Sequence, residues 1–167
     1  MILEEDIQEV VDTLRSGWIG SGPQVFRFEQ EFGRIMGARH AIAVSSCTAA
    51  LSLALEILGI QAGDEVITTS LTFPATANVM VHHGARPMFA DVGRRTGNID
   101  PAEIGRSIGL RTKAIIPVHL AGRPCQMDVI MELARSHDLF VIEDAAHALE
   151  TQYLLSGWTS TWLTGER

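Results

Sequence analysis

The stretch LFVIEDAAH, residues 139–147, holds the residues best placed for chemistry. Leu139, Phe140, Val141 and Ile142 form an apolar run that predicts a short strand buried on both faces. The run ends in Glu143 and Asp144, followed by a helix-compatible Ala-Ala-His. In an open parallel sheet, ligands gather outside the carboxyl ends of the strands, which is where Asp144 falls. A buried carboxylate is costly unless a positive group meets it, so a cationic partner is expected there. If residues 145–147 are helical, His147 lies one turn past Asp144 on the same side.

A second candidate is the polar turn Ser45-Ser46-Cys47-Thr48 between an apolar segment and an apolar helix. Hydroxyls and free backbone N–H groups at a helix N-terminus make an anion site. Simple N-capping by Ser46 or Thr48 fits the same residues. Phe73 follows another strand and could stack on a planar ligand, although an aromatic there is more often a core plug. Lys113 is the single lysine among 13 basic residues, so any lysine chemistry in this chain must use it. The six histidines form no metal pattern. His82 and His83 are adjacent and cannot share a helix face. His119 follows a strand and reads best as a satisfied polar residue at the sheet edge.

These residues need elements to position them. The 3-4-3 spacing of Ile7, Val10, Val11 and Leu14 predicts a helix that Ser16-Gly17 ends. Gly17, Gly20 and Gly22-Pro23 punctuate a loop that matches no phosphate-cradle spacing and reads as a connection. Phe28, Phe32, Ile35 and Met36 mark a second amphipathic helix stopped at Gly37. Strands are expected at residues 41–44, 65–70, 86–91, 112–119 and 139–142. Helices are expected at 49–58, 74–81, 101–108 and 127–135, with Asp100 capping the third of these and Pro101 at its first position. Strands alternating with helices at this spacing predict an α/β domain with a largely parallel sheet.

At 167 residues the chain is one domain by length and long enough to bury a core. A net charge of -7 and scattered arginines argue against nucleic acid as a partner. Cys47 and Cys125 make neither a disulfide framework nor a zinc spacing. No signal peptide or long apolar run opens the sequence, so a cytoplasmic location away from the membrane is the expectation.

Five stretches then carry a family resemblance: SGWIGSGP, AVSSCTAALSLAL, GDEVITTSLTFPATANVM, AIIPVHLAGRPCQMD and VIEDAAHALETQY. In their order and spacing the chain resembles the DegT/DnrJ/EryC1/StrS sugar aminotransferases, which are fold-type-I enzymes dependent on pyridoxal 5'-phosphate. The resemblance implies a three-layer α/β/α large domain with a mostly parallel mixed sheet, truncated here. It implies that Thr48 and Ala49, with the Cys47 backbone, hold the cofactor phosphate and that Phe73 stacks on the pyridine ring. By the same resemblance Asp144 pairs with the protonated ring nitrogen, and His147 lies near the phenolic oxygen. The loop 18–22 and the segment around Thr72 match places where family members meet substrate. The implied substrate is a nucleotide-linked keto sugar, the implied amino donor glutamate, and complete members are homodimers.

One family feature is missing. The Schiff-base lysine belongs to a later segment, and here the register holds only to Tyr153. Residues 1–153 therefore read as the N-terminal part of the major domain. Residues 154–167 carry no family motif and read as a frameshifted or recombined end. Lys113 precedes a strand at the end opposite Asp144 and cannot replace the lysine, so no catalytic residue is assigned within the chain. Losing that base removes about 10²–10⁴-fold of proton-transfer catalysis. The alternative reading is a non-catalytic module that binds cofactor or phosphate, or docks on a partner. A nicotinamide-dependent enzyme is disfavoured, because no glycine fingerprint follows any strand.

Overall fold

Apolar residues that alternate along the strands divide the interior into two layers. On β1 (Glu65–Thr69), Val66 faces one side and Ile67 the other. On β3 (Thr112–Ile116), Ala114 and Ile116 face the first side and Ile115 the second. The period-two alternation of a pleated strand requires this division. The first layer is closed by Leu51 and Leu55 of α3 (Cys47–Ile57) with Val79 and Met80 of α4 (Pro74–His82). The second is closed by Ile104 of α5 (Pro101–Ser107) with Met127, Ile130 and Ala134 of α6 (Met127–Ser136). The result is a three-layer α/β/α arrangement, as expected.

The computed structural model describes residues 2–149, 151–155 and 158–160. Its parallel sheet has the order β2-β1-β3-β4, where β2 is Arg86–Ala90 and β4 is Phe140–Val141. All four strands point their carboxyl ends the same way, so the segments following β1, β3 and β4 share one edge. At the opposite edge the buried Glu65 holds Arg111 at 2.9 Å and Arg86 at 3.8 Å. Lys113, exposed at the second position of β3, belongs to that opposite edge.

The chain divides into two units, Met1–Ala43 and Val44–Arg167. Within the first, α1 (Glu4–Ser16) and α2 (Pro23–Met36) both end on glycines, Gly17 and Gly37, in the left-handed conformation. That conformation carries no Cβ penalty for glycine. Asp6 accepts the Leu3 amide at 2.8 Å and so satisfies a donor at the start of α1. Between the helices, the Trp18 indole lies over Gly22 and donates to the Ser21 carbonyl at 2.8 Å. A Cβ at Gly22 would come 2.0 Å from Trp18 Nε1. Gly22→Ala is therefore expected to swing the indole away and break its hydrogen bond, at a stability cost of about 1 kcal/mol. The Trp18 indole N–H resonance reads this directly, and an unmoved resonance would contradict the contact.

Three expectations about local structure are corrected. Residues 41–44 form no strand among the described residues, and the Ala43 amide is taken by the Glu29 carboxylate at 2.8 Å. The apolar run 139–142 yields only the two-residue β4, half-buried rather than buried on both faces. Among the described residues it has a neighbour, β3, on one side only. Residues 145–148 form a turn closed by the Ala148 amide on the Ala145 carbonyl at 2.8 Å, not a helix. Of the tail, β5 (Tyr153–Leu155) and β6 (Trp158–Ser160) pair antiparallel, and the rest of residues 154–167 lies outside the described residues.

Candidate active site

Asp144 is held at its backbone before its side chain meets anything. Its amide donates to the Pro117 carbonyl at 2.9 Å, and its carbonyl accepts from the His119 amide at 3.1 Å. These bonds extend the β3–β4 ladder as an isolated parallel bridge between Val118 and Asp144. The carboxylate is 6% exposed. Oδ2 accepts from the Thr76 hydroxyl at 2.9 Å. Oδ1 accepts from the Ala146 amide at 3.3 Å and faces the Cys47 thiol at 3.7 Å. None of these donors is a cation. A carboxylate taken out of water and given only neutral donors lacks its natural counter-charge.

Two helix N-termini reach this carboxylate. Cys47 is the first residue of α3, and Thr76 is the third of α4. Helix N-termini carry a partial positive charge that favours an anion nearby. Burial raises the Cys47 thiol above its ordinary pKa, and the Asp144 charge and hydrogen bond add to the rise. The thiol therefore stays protonated and donates to Asp144.

The α3 N-terminus resolves the two readings of the polar turn in an unexpected way. Ser46 is the N-cap, and its hydroxyl accepts the Ala49 amide at 3.2 Å. The amides of Cys47 and Thr48 have no acceptor among the described residues. Capping is present, and two N–H groups remain open on an exposed helix end. An anion there would take the Cys47 and Thr48 amides directly, and Ala49 only by displacing Ser46.

Phe73 is no core plug. It is the N-cap residue of α4, 74% exposed, and its carbonyl accepts the Thr76 amide at 3.1 Å. Its ring is thus free to cover a ligand one helical turn from the Thr76–Asp144 contact. His147 is exposed in the 145–148 turn, and its side chain makes no hydrogen bond among the described residues. The structure brings Cys47 and Asp144 into contact and leaves Phe73 and His147 open.

Sequence reasoning did not find Thr76, nor that Glu143 pairs with His119, which reads in the sequence as a satisfied polar residue and is one. His119, fully buried, accepts the Cys125 amide at Nδ1 (3.0 Å). Its Nε2 lies 2.8 Å from Glu143 Oε2. Because Nδ1 is an acceptor, the ring proton sits on Nε2 and is donated to Glu143. Cys125 donates to the Val118 carbonyl at 3.2 Å. Burial, with the Glu143 charge adding to it, pushes the Cys125 thiol up to about 12. A small alkylating reagent at neutral pH should therefore modify exposed Cys47, slowly because its thiol is held protonated, and spare buried Cys125. Mass spectrometry is expected to show one label on the native chain and two after unfolding, and equal labelling of both would contradict this.

Lys113 lies five residues before Val118, so roughly 16 Å of strand separates it from Asp144. No group of metal-ligating side chains occurs among the described residues. What the site offers is an anion-binding helix end and a buried carboxylate without a cation, joined through Cys47. That set suits a ligand with an anionic group at one end and a cationic hydrogen-bond donor at the other.

The comparisons with known proteins give the family. The model of the DegT/DnrJ/EryC1/StrS aminotransferase family matches residues 1–155. The spore coat polysaccharide biosynthesis protein SpsC of Bacillus subtilis is 55% identical over 153 residues, which is 92% of this chain and 39% of SpsC. The aminotransferase of Psychrobacter cryohalolentis superposes with a TM-score of 0.86 at 43% identity, over 89% of this chain and 38% of that one. NtdA of Bacillus subtilis, solved with bound cofactor PMP, gives a TM-score of 0.83 at 36% identity, over 88% and 35%. The chain thus spans under two fifths of the length of each of these relatives.

Proposed function

Because the chain belongs to the DegT/DnrJ/EryC1/StrS aminotransferase family, we propose that it forms the cofactor-holding part of a pyridoxal-phosphate-dependent sugar aminotransferase. The observation that carries this reading is Asp144, a buried carboxylate whose donors are all neutral. A protonated pyridine nitrogen is the cation that this site lacks. When bound, the cofactor supplies an electron sink for the carbanion at the amino-group carbon, and a carboxylate at the ring nitrogen sustains it.

The chain's own residues bind and orient. The open amides of Cys47 and Thr48, with Ala49 behind them, take the phosphate at the α3 N-terminus. Phe73 covers the ring, and Asp144 holds its nitrogen. His147, presented on the turn after Asp144, takes the phenolic oxygen side. The single lysine of the sequence, Lys113, stands at the other edge of the sheet and away from these residues. We assign a nucleotide-linked keto sugar as substrate and glutamate as amino donor, in a cytoplasmic homodimer, on the family relationship. No helix among the described residues is long and apolar enough to cross a membrane.

Pyridoxamine phosphate tests the reading, because it needs no lysine to bind. It is expected to saturate the full chain and to protect Cys47 from alkylation. Alkylation that proceeds at the same rate with the ligand at high concentration would sink the proposal. A second reading, a module that docks on a partner, is favoured by β4, an apolar segment with a neighbour on one side only among the described residues. A sedimentation profile of the chain with a full-length family member separates the two: co-migration supports docking, and independent migration removes it.

A further inference from the structure

We propose that Thr76 is a positioning residue for Asp144, and that Thr72 and Thr76 form a hydroxyl relay from the segment after β1 to that carboxylate. The proposal rests on the cofactor reading above. Thr76 Oγ1 is buried and donates its single proton to Asp144 Oδ2 at 2.9 Å. Thr72 Oγ1 lies 2.9 Å from Thr76 Oγ1. With the Thr76 proton committed, only Thr72 can donate in that second bond, so the chain of donors runs Thr72 to Thr76 to Asp144.

Local sequence produces this geometry. Pro74 opens α4 at its first position, and Phe73 in extended conformation turns the chain into the helix. Thr76 then lies in the first turn, so the residue four positions earlier stands outside the helix. Its side chain is available, in place of the helical carbonyl that accepts the hydroxyl in a helix interior. Here the group four residues earlier is the Thr72 hydroxyl, and it donates instead. The Thr76 proton is thereby released to point at Asp144.

Two consequences follow for the site. With Oδ2 taken by Thr76, Oδ1 carries among the described residues an amide at 3.3 Å and a thiol at 3.7 Å, both long for strong bonds. Oδ1 is the oxygen left for a ring N–H. At the other end, half-buried Thr72 keeps its acceptor lone pairs open. A ligand donor at Thr72 would polarise both hydroxyls in the same direction, since bonds in such a chain strengthen one another. What binds at Thr72 then alters how firmly Asp144 holds the ring nitrogen.

The test is the nitrogen-15 resonance of ring-labelled pyridoxamine phosphate on the full chain. In the unaltered chain it is expected in the protonated range. A failure to bind, or a neutral-range signal, would refute the cofactor reading itself rather than the relay. Thr76→Val keeps the shape but removes the donor. It should move the signal toward neutral pyridine and weaken binding by about tenfold. Thr76→Ser should restore both to within about twofold. Thr72→Val, at a half-buried position, should shift the signal in the same direction by less. A Thr76→Val chain with the unaltered resonance overturns the positioning role, even if its melting temperature falls. A Thr72→Val chain with no shift overturns the relay, and this variant decides the matter if Thr76→Val does not fold.

Discussion

Asp144→Asn is expected to weaken pyridoxamine phosphate binding by about 10²–10³-fold while changing the stability of the ligand-free chain by about 1 kcal/mol or less. The two halves have one cause. In the ligand-free chain the carboxylate is buried among neutral donors and two helix N-termini, with no full positive charge against it, so an amide of the same shape loses little. With the ligand bound, that charge faces a protonated nitrogen. Breaking a buried ion pair from one side costs about 3–5 kcal/mol. Binding and denaturant titrations of both forms check the pair of effects. A variant that unfolds readily but binds as before would mean that Asp144 is a structural residue.

Alkaline solution should destabilise the fold through Cys125. Its thiol is held up near 12 by burial and by the Glu143 charge, against an ordinary value of 9.0. Above about pH 9 the unfolded chain gives up this proton while the folded chain keeps it. The folded state then binds more protons than the unfolded one, so stability falls as pH rises. The loss is about 1.4 kcal/mol per pH unit until the folded thiol itself ionises near 12, roughly 4 kcal/mol in all. Cys125→Ala removes this contribution at the cost of the hydrogen bond to the Val118 carbonyl. Denaturant midpoints at neutral pH and at about pH 10 should converge in the variant and diverge in the unaltered chain. Parallel slopes in the two would contradict the assignment.

Where punctuation was strong, the fold was legible in the sequence. Asp100-Pro101 starts α5, Gly37 stops α2, and the parallel sheet follows from strands spaced by helices. The misread segments fail for a shared reason. A strand exists only where a neighbour pairs with it, and neither the unpaired residues 41–44 nor the one-sided β4 announces its neighbours locally. The 145–148 turn has helix-forming residues, but the Ala146 amide is drawn to the Asp144 side chain. Asp144 was found because an apolar run ends on it. Thr76 and the His119–Glu143 pair were not, because their roles depend on partners 68 and 24 residues away. A threonine within a helical pattern, or a histidine after a strand, gives no local sign of such a partner.

Crystals of the full chain soaked with pyridoxamine phosphate test the central claim most directly. The expected density places the ring nitrogen at hydrogen-bond distance from Asp144 Oδ1, the phosphate on the Cys47 and Thr48 amides, and Phe73 over the ring. Density with the phosphate elsewhere, or with the ring nitrogen turned away from Asp144, would contradict the account.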